Sequence, residues 1–297
     1  MQHQNYWSKR NELAEKAKAW TDKMYTDYIE SIKYSVRHTE SYNENMASVM
    51  SALGNFDRPK CVPDFKIKEM DTVSAIFALP KELENLKVCV LNFASYKEPG
   101  GKFIEGSKAQ EECLCHESFL YNVLKEFDNE KYYEANKKAL NKALYYNRAL
   151  YSPKIAFIRG DDFTRIDVLT CAAPNFTEAK KYCDVTEAEN EKALRSRICF
   201  ILDIMEEQHV DIPILGAFGC GVFGQDAITV ATMFKQELES GRYGFKEVIF
   251  AIIPGPNSDD FKMVFEQPIL YECTDDYTTD DSWYHGTDDA VSVATKK

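Results

Sequence analysis

Apolar residues recur through residues 6–42 at intervals of three, four or seven: Trp7, Leu13, Trp20, Met24, Tyr28, Ile32 and Val36. That is the repeat of one face of an α-helix, so the spacing predicts one or two amphipathic helices. The pattern then shortens. Residues 65–70 alternate apolar and polar as a half-buried strand does, and Thr72 beyond them offers an N-cap to a short helix ending before Pro80. Residues 87–93, Lys-Val-Cys-Val-Leu-Asn-Phe, form a compact apolar run, the pattern of a strand buried on both faces. Similar runs stand at 155–158, 168–172, 212–215 and 248–253, and helical patterns at 112–127, 132–144, 186–208 and 227–238 separate several of them. Thr186 and Glu189 spell a capping box, with Leu194, Ile198, Ile201 and Met205 as one apolar stripe below it. Strands alternating with helices predict an α/β fold whose mixed, largely parallel sheet is covered on both faces. From Tyr271 the periodicity fades into Thr, Asp, Ser and Gly. The chain is thereby expected to divide into a helical extension packed on the core at 1–60, an α/β domain at 61–270, and an acidic, disordered tail at 271–297.

Composition narrows the function classes. With 297 residues, 44% of them apolar, one large domain can bury a full core. The formal net charge is −12, and the segment 271–297 carries seven acidic residues against two lysines, or −5 of that total. Such a surface repels a nucleic-acid backbone, so general nucleic-acid binding is not expected, while a local pocket for one diphosphate remains compatible. No apolar run of roughly 18 residues is present to span a bilayer, and the start Met-Gln-His-Gln-Asn lacks the basic-then-apolar order of a secretory signal. The expected location is the cytoplasm, with no membrane partner. Nine cysteines lie mostly in apolar stretches, as Cys89, Cys171, Cys199 and Cys220 do, and read as reduced thiols. Cys113 and Cys115 form only a Cys-x-Cys, without the second pair a zinc site needs; neither a metal nor a cofactor is implied.

Parallel sheets bind ligands where the carboxyl ends of strands meet helix N-termini, so the loops after the strands carry the chemistry. After the 87–93 strand come the adjacent glycines Gly100 and Gly101, which let backbone N–H groups approach a ligand, and then Gln110, Glu111 and Glu112 at a helix start. After the 212–215 strand comes Gly216-Ala217-Phe218-Gly219-Cys220-Gly221-Val222-Phe223-Gly224, leading to a helix at Ala227. Four glycines in nine residues at that place suit a phosphate cradle and equally suit tight packing. Their spacing fits neither Gly-x-Gly-x-x-Gly nor the Walker pattern, which disfavours a nicotinamide-cofactor fold and a nucleotide triphosphatase.

Taken together, these loops resemble the microbial-type poly(ADP-ribose) glycohydrolase family, whose core is a macrodomain. Its signature is a glycine triplet followed after a short spacer by Gln-Glu-Glu; here Gly100-Gly101-Lys102 is separated by seven residues from Gln110-Glu111-Glu112. Asn92-Phe93-Ala94, Pro99 and the Gly219-to-Gly224 loop add to the likeness, which runs in patches from residue 65 to 253. The resemblance implies a macrodomain-like three-layer α/β/α fold with an N-terminal helical extension. Its implied activity is cleavage of ribose–ribose O-glycosidic bonds in poly(ADP-ribose), with ADP-ribose or an ADP-ribosylated macromolecule as the partner. Lys102 departs from the pattern, standing where the third glycine belongs, and is placed to crowd the distal ribose, to pair with the substrate diphosphate, or to be tolerated with its side chain turned outward.

Breaking a bond to an anomeric carbon needs a proton for the leaving oxygen and then an activated water. Glu111 and Glu112 are sequence neighbours whose side chains should diverge by roughly 100° on a helix, so they do not form a matched pair on one bond. By resemblance, Glu112 is the acid and then the base, while Glu111 holds ribose hydroxyls. Gly100, Gly101 and Gln110 border the distal ribose; Gly219, Cys220, Gly221, Val222 and Phe223 bind the diphosphate, with Phe223 packed on the ribose. Asn92 is a candidate for a ribose hydroxyl contact or a turn contact, Phe261 or Phe265 for an adenine slot, and His116 for a neighbour that tunes Glu112. Two other readings stay open: hydrolysis of mono-ADP-ribose on protein or nucleic acid, and an ADP-ribose-binding module without catalysis.

Overall fold

The computed structural model describes residues 2–46, 59–80, 83, 85–129 and 132–266. The acidic segment expected as a tail at 271–297 lies outside these residues. Among the described residues no helix is long and apolar enough to cross a membrane.

Seven strands form one sheet: β1 (Glu40–Tyr42), β2 (Asp64–Lys68), β3 (Val88–Phe93), β4 (Ala149–Arg159), β5 (Asp162–Cys171), β6 (Ile212–Leu215) and β7 (Glu247–Ala251). Their order is β1-β4-β5-β3-β6-β7-β2. The pairs β5–β3, β3–β6, β6–β7 and β7–β2 are parallel, and β1–β4 and β4–β5 antiparallel, so the sheet is mixed and largely parallel as the alternating pattern predicts.

The sheet separates two cores, because successive side chains of a strand point to opposite faces. On β3, Cys89 and Leu91 enter one core while Val88 and Val90 enter the other. The first core is roofed by α7 (Glu187–Glu207), α8 (Ala227–Glu239) and α9 (Pro256–Glu266), through Leu194, Ile198, Ile201, Val230, Phe234 and Phe261. The second is roofed by α1 (Gln2–His38), α2 (Thr72–Phe77), α3 (Gln110–His116) and α4 (Leu120–Leu124), through Met24, Val73, Leu114 and Leu120. Short α5 (Tyr133–Lys137) adds Tyr133 to the second core, and α6 (Phe176–Cys183) packs Ala179 against Leu144 and Val185. This is the three-layer α/β/α arrangement.

The capping box at Thr186 and Glu189 forms, and α7 starts there. Elsewhere the boundaries move for physical reasons. Asp71, not Thr72, caps α2: its carboxylate accepts from Ser74 N at 2.9 Å, leaving Thr72 as the first helical residue. The single helix expected at 112–127 is broken into α3 and α4, because Glu117 O accepts from Ile158 N at 2.8 Å and Ser118 bridges to Phe157 of β4. The helix expected at 132–144 stops at Lys137, beyond which Asn141, Lys142, Ala143 and Tyr145 all take positive φ. The run at 155–158 is the far half of the 11-residue β4, which turns through Gly160-Asp161 into the hairpin with β5.

Helix α1 forms as its apolar repeat predicts and bends at Tyr28. It grips the elements that lead into the 94–112 loop and out of it. Arg10 pairs with Glu105 at 2.9 Å, Trp20 Nε1 donates to Ser118 O at 2.8 Å, and Thr21 O accepts from Asn122 Nδ2 at 3.0 Å. Gly106, at φ +81°, lets α1 approach: a Cβ there would lie 2.1 Å from Arg10 O. Gly106→Ala is therefore expected to lower stability by at least ~2 kcal/mol in urea denaturation, combining strain at positive φ with overpacking. Gly241→Ala, at φ +73° with nothing within 4 Å, carries the strain alone and should cost less.

Candidate active site

The strand β3 ends at Phe93, and its continuation folds back over the start of α3. Gln110 fixes that start: its Nε2 donates to Leu91 O at 2.9 Å and to Thr72 Oγ1 at 3.2 Å, and its Oε1 accepts from Phe93 N at 2.9 Å. The amide expected to border a ribose is thus spent on tying α3 to the end of β3. Asn92 likewise is fully buried and donates Nδ2 to Glu111 Oε1 and to Thr170 Oγ1, each at 3.2 Å, so it holds Glu111, while its Oδ1 is buried without a hydrogen-bond partner among the described residues.

Glu111 and Glu112 are 3% and 6% exposed, low enough that each carboxylate must find donors inside the protein. Glu111 accepts from Ser95 N at 2.7 Å as well as from Asn92, and Glu112 Oε1 accepts from Lys102 N at 2.9 Å. The divergence expected of helical neighbours does not occur, because the 100–102 turn lies across the helix start and both side chains reach it. A Cβ on Gly101 would be 2.8 Å from Glu112 Oε1 and 3.0 Å from Glu111 Oε2. Gly100 and Gly101 have φ of +66° and +59°, whereas Lys102 has φ −105°, an ordinary value for any residue. The third position does not need glycine. The Lys102 side chain is 65% exposed and turns outward, its Nζ 3.8 Å from Glu105, so it neither enters the turn nor occupies the cleft.

The second glycine loop follows β6. Gly219 has φ +79°, and a Cβ there would lie 2.8 Å from the Ala173 Cβ. Among the described residues, the backbone N–H groups of Gly219, Gly221, Val222 and Phe223 make no hydrogen bond within the protein, whereas Cys220 N bonds Ala217 O and Gly224 N bonds Gly221 O. Gly221 is open, with nothing within 4 Å of a Cβ, and Val222 is 85% exposed at the tip. A row of unspent N–H groups in a turn before a helix is an anion cradle. Phe223 is half-buried and meets the Tyr145 ring edge-on at 6.2 Å; Tyr145 in turn stacks on Tyr96 at 4.1 Å. That aromatic wall joins the two loops.

The parts of both loops nearest the sheet line one cavity, which includes neither Glu112 nor the 219–223 turn in its lining. A cavity of about 230 Å³ lies at the carboxyl ends of β3, β6 and β7, lined by Thr72, Phe93, Gln110, Cys113, Ala217 and Ile253. A larger one, about 370 Å³, opens between α2 and the β4–β5 turn beside Phe77, Leu86 and Phe163; it touches neither glycine loop. Phe261 and Phe265, the expected adenine slot, are instead packed against Phe250 in the core. The apolar lining suited to a base is Phe93, Ala217 and Ile253, a composition too ordinary to single out in sequence.

Burial pushes the Glu111 carboxyl up to about 8, and the neighbouring Glu112 adds to the rise, against hydrogen bonds from Ser95, Asn92 and Gly100 that favour the anion. Burial also lowers His116, whose Nε2 is 3.3 Å from Ser107 O and whose ring meets Phe103, so it belongs to the packing of the loop. The thiols of Cys113, Cys115 and Cys220 are all pushed up by burial, Cys220 to about 12, which keeps them protonated and poor nucleophiles.

Comparison with known proteins gives the same picture. The family model described as microbial-type PARG, catalytic domain, matches residues 11–160, just over half of the chain. No curated protein sequence matches. Among solved structures, poly(ADP-ribose) glycohydrolase from Deinococcus radiodurans in complex with ADP-ribose is 28% identical, with a TM-score of 0.72 over 79% of this chain and 97% of that one. Poly(ADP-ribose) glycohydrolase from Thermomonospora curvata is 27% identical, with a TM-score of 0.75 over 87% of this chain and 99% of that one. The same enzyme bound to the inhibitor ADP-HPD is 27% identical, with a TM-score of 0.73 over 86% and 98%.

The elevated Glu111 has a measurable consequence for stability. Below pH ~4.5 the carboxyl is protonated folded and unfolded alike and contributes nothing to the pH dependence. As pH rises from there to about 8 the unfolded chain releases this proton while the folded chain keeps it, so stability falls across that window and levels off above it. Urea denaturation from pH 4.5 to 9 should show Glu111→Gln gaining on wild type through the window and holding a constant advantage beyond it. A wild-type-minus-variant difference independent of pH would contradict the buried neutral acid.

Proposed function

The chain belongs to the microbial-type poly(ADP-ribose) glycohydrolase family, and on that premise we propose that it hydrolyses the ribose–ribose O-glycosidic bonds of poly(ADP-ribose) to release ADP-ribose, with Glu112 as general acid and base. The observation that carries the assignment of Glu112 is its placement: a buried carboxyl, oriented by Lys102 N, against a glycine whose missing Cβ leaves the approach to it clear.

The diphosphate of the terminal unit is taken by the unspent N–H groups of Gly219, Gly221, Val222 and Phe223, with Cys220 shaping the turn between them. The adenosine end lies toward the cavity between Phe93 and Ile253. Phe223, braced by Tyr145, packs on the distal ribose and turns its anomeric carbon toward Glu112. Gly100 and Gly101 pass close to that ribose, and Glu111, held by Asn92 and Ser95, offers an oxygen to its hydroxyls. Glu112 gives its proton to the glycosidic oxygen as the bond to the anomeric carbon breaks. The oxocarbenium-like sugar is then met by water, which yields its proton to the same carboxylate as the new C–O bond forms. One carboxyl thus serves both halves of the reaction. Residues 61–270 are assigned to the catalytic domain and 1–60 to an extension that braces it. A cytoplasmic location is supported by the eight described cysteines, all free thiols.

Incubation with ADP-ribose polymer tests the assignment. Glu112→Gln should lower the release of ADP-ribose by about 10²–10⁴-fold while ADP-ribose still binds within a few-fold of wild type. Turnover at the wild-type rate in that variant would remove Glu112 from the mechanism, and release only from mono-modified protein would change the substrate.

The turn at 100–102 makes a second, opposed pair. Gly101→Ala inserts a methyl between both carboxylates and should cut kcat/KM by roughly 10²-fold or more. Lys102→Gly, at a position with ordinary φ and an outward side chain, should stay within about twofold of wild type, since surface changes seldom reach the chemistry.

A further inference from the structure

Helix α7 presents Arg197 on its buried face, one turn beyond Leu194 and beside Ile198. The side chain is 1% exposed, and among the described residues no carboxylate lies within ion-pair distance of it. Its guanidinium is held by neutral oxygens: Nε donates to Asn147 Oδ1 at 2.7 Å, Nη2 to Leu144 O at 3.4 Å, and Nη1 to Ala172 O. A buried charge is ordinarily matched by an opposite one, since three dipoles compensate a lost hydration shell only in part. Lys235, the one other buried lysine or arginine among the described residues, has the Glu239 carboxylate 3.8 Å away. Arg197 holds a full positive charge inside a chain of net charge −12.

The place of that charge is specific. Ala172 follows β5 at its carboxyl end and shares a small core with Tyr96, Tyr145 and Phe223. The next residue, Ala173, closes against Gly219, and Pro174 O accepts from Gln225 Nε2 at 2.8 Å. Leu144 O, the second acceptor, immediately precedes Tyr145, the ring on which Phe223 rests. The guanidinium therefore sits directly behind the wall of the loop that carries the free N–H groups, separated from it by one layer of chain.

Resting on the glycohydrolase reading of that loop, we infer that Arg197 is a positioning residue whose buried charge finds its counter-ion in the substrate diphosphate, acting through the Ala172–Pro174 wall without touching the ligand. The free N–H groups give direction and the guanidinium gives net charge. The acidic surface repels polyanions in general, and Asp226 and Asp260 act on Cys220 within the loop itself; the guanidinium behind the cradle offsets them where a diphosphate lands. A unit charge in the interior on the order of 10 Å from a bound anion changes its affinity about tenfold.

Neutralising the charge without removing an atom of Arg197 is the decisive test. Asn147→Asp is isosteric and sets a carboxylate against Nε, forming the ion pair that the fold lacks. Binding of ADP-ribose and of adenosine, which has no phosphate, is measured by titration calorimetry on the full chain, with thermal unfolding alongside. Asn147→Asp should weaken ADP-ribose about tenfold, leave adenosine within about twofold, and melt at or above the wild-type temperature. Arg197→Lys, which keeps the charge and loses the three-way tie, should melt lower yet keep the ratio of the two affinities within about threefold. A mere structural tie predicts the reverse: Asn147→Asp binding ADP-ribose as wild type does, or both ligands lost together, overturns the inference. If Asn147→Asp does not fold, selective loss of ADP-ribose in Arg197→Lys overturns it equally. Wild type that fails to bind ADP-ribose at all sinks the glycohydrolase reading first, and Arg197's target with it.

Discussion

A carboxyl group taken out of water must be given hydrogen-bond partners, and this site holds two of them side by side at a helix start. Most of its local architecture follows from that demand. Glu111 draws on Ser95 N and Asn92, and Glu112 on Lys102 N, so the chain after β3 has to curl back and present its backbone to the first turn of α3. A curl that tight needs positive φ at Gly100 and Gly101, and the absence of a Cβ at Gly101 is what leaves room for both carboxylates at once. Gln110 then locks the helix start to the last rungs of β3. The Gln-Glu-Glu sequence is a mechanical unit as much as a chemical one: its first residue positions the helix, its second fills a buried polar site, and its third is left facing the turn.

The second glycine loop, proposed above to take the diphosphate, is built on the opposite logic. There the groups that matter are donors left without acceptors, and glycine serves to keep them bare. Gly219 gives the close approach to Ala173 that shapes the loop, while Gly221 has open space where a Cβ would stand and leaves the backbone accessible. Partial charges on N–H groups orient an anion but carry no net charge, and the protein as a whole is acidic. On the inference drawn for Arg197, net charge comes from a guanidinium behind the wall, which does not crowd the ligand.

Much of this was legible before any coordinates. Strands β3 and β6 announce themselves as apolar runs, the capping box at Thr186 marks the start of α7, and both glycine loops fall at the strand ends where a parallel sheet binds ligands. Long-range hydrogen bonding was not legible. Nothing local says that Ile158 will take the carbonyl of Glu117 and split a helix, or that the 141–145 stretch will adopt left-handed conformations against its helical composition. Other signals were present but small. Gly160-Asp161 between two apolar runs is a hairpin turn; Asn175 caps α6; Pro256 follows Gly255 at the first turn of α9. Lys102 shows the limit of motif matching: the pattern counts glycines, whereas the backbone asks for positive φ at only two of the three positions. Arg197 was hidden for a similar reason, since an arginine in a helix with many charged residues looks like a solvated one until its face is known.

A site assembled from buried acids and bare donors works against the stability of the domain that carries it. Glu111 keeps its proton to about pH 8 and so costs folding energy at neutral pH, and the second loop leaves the N–H groups of Gly219, Gly221, Val222 and Phe223 without hydrogen bonds within the protein. The compensation lies outside the cleft. Helix α1 pins the stretch just before α3 through Arg10 and Glu105, and the break just after it through Trp20 and Ser118. Both ends of the seven-residue helix that bears the carboxylates are thereby held by an element that never reaches the substrate. A helix that short has little stability of its own, because nucleation is unfavourable and only a few bonds follow it. The long N-terminal helix is best understood as the splint that lets a buried, polar turn persist at the carboxyl end of the sheet.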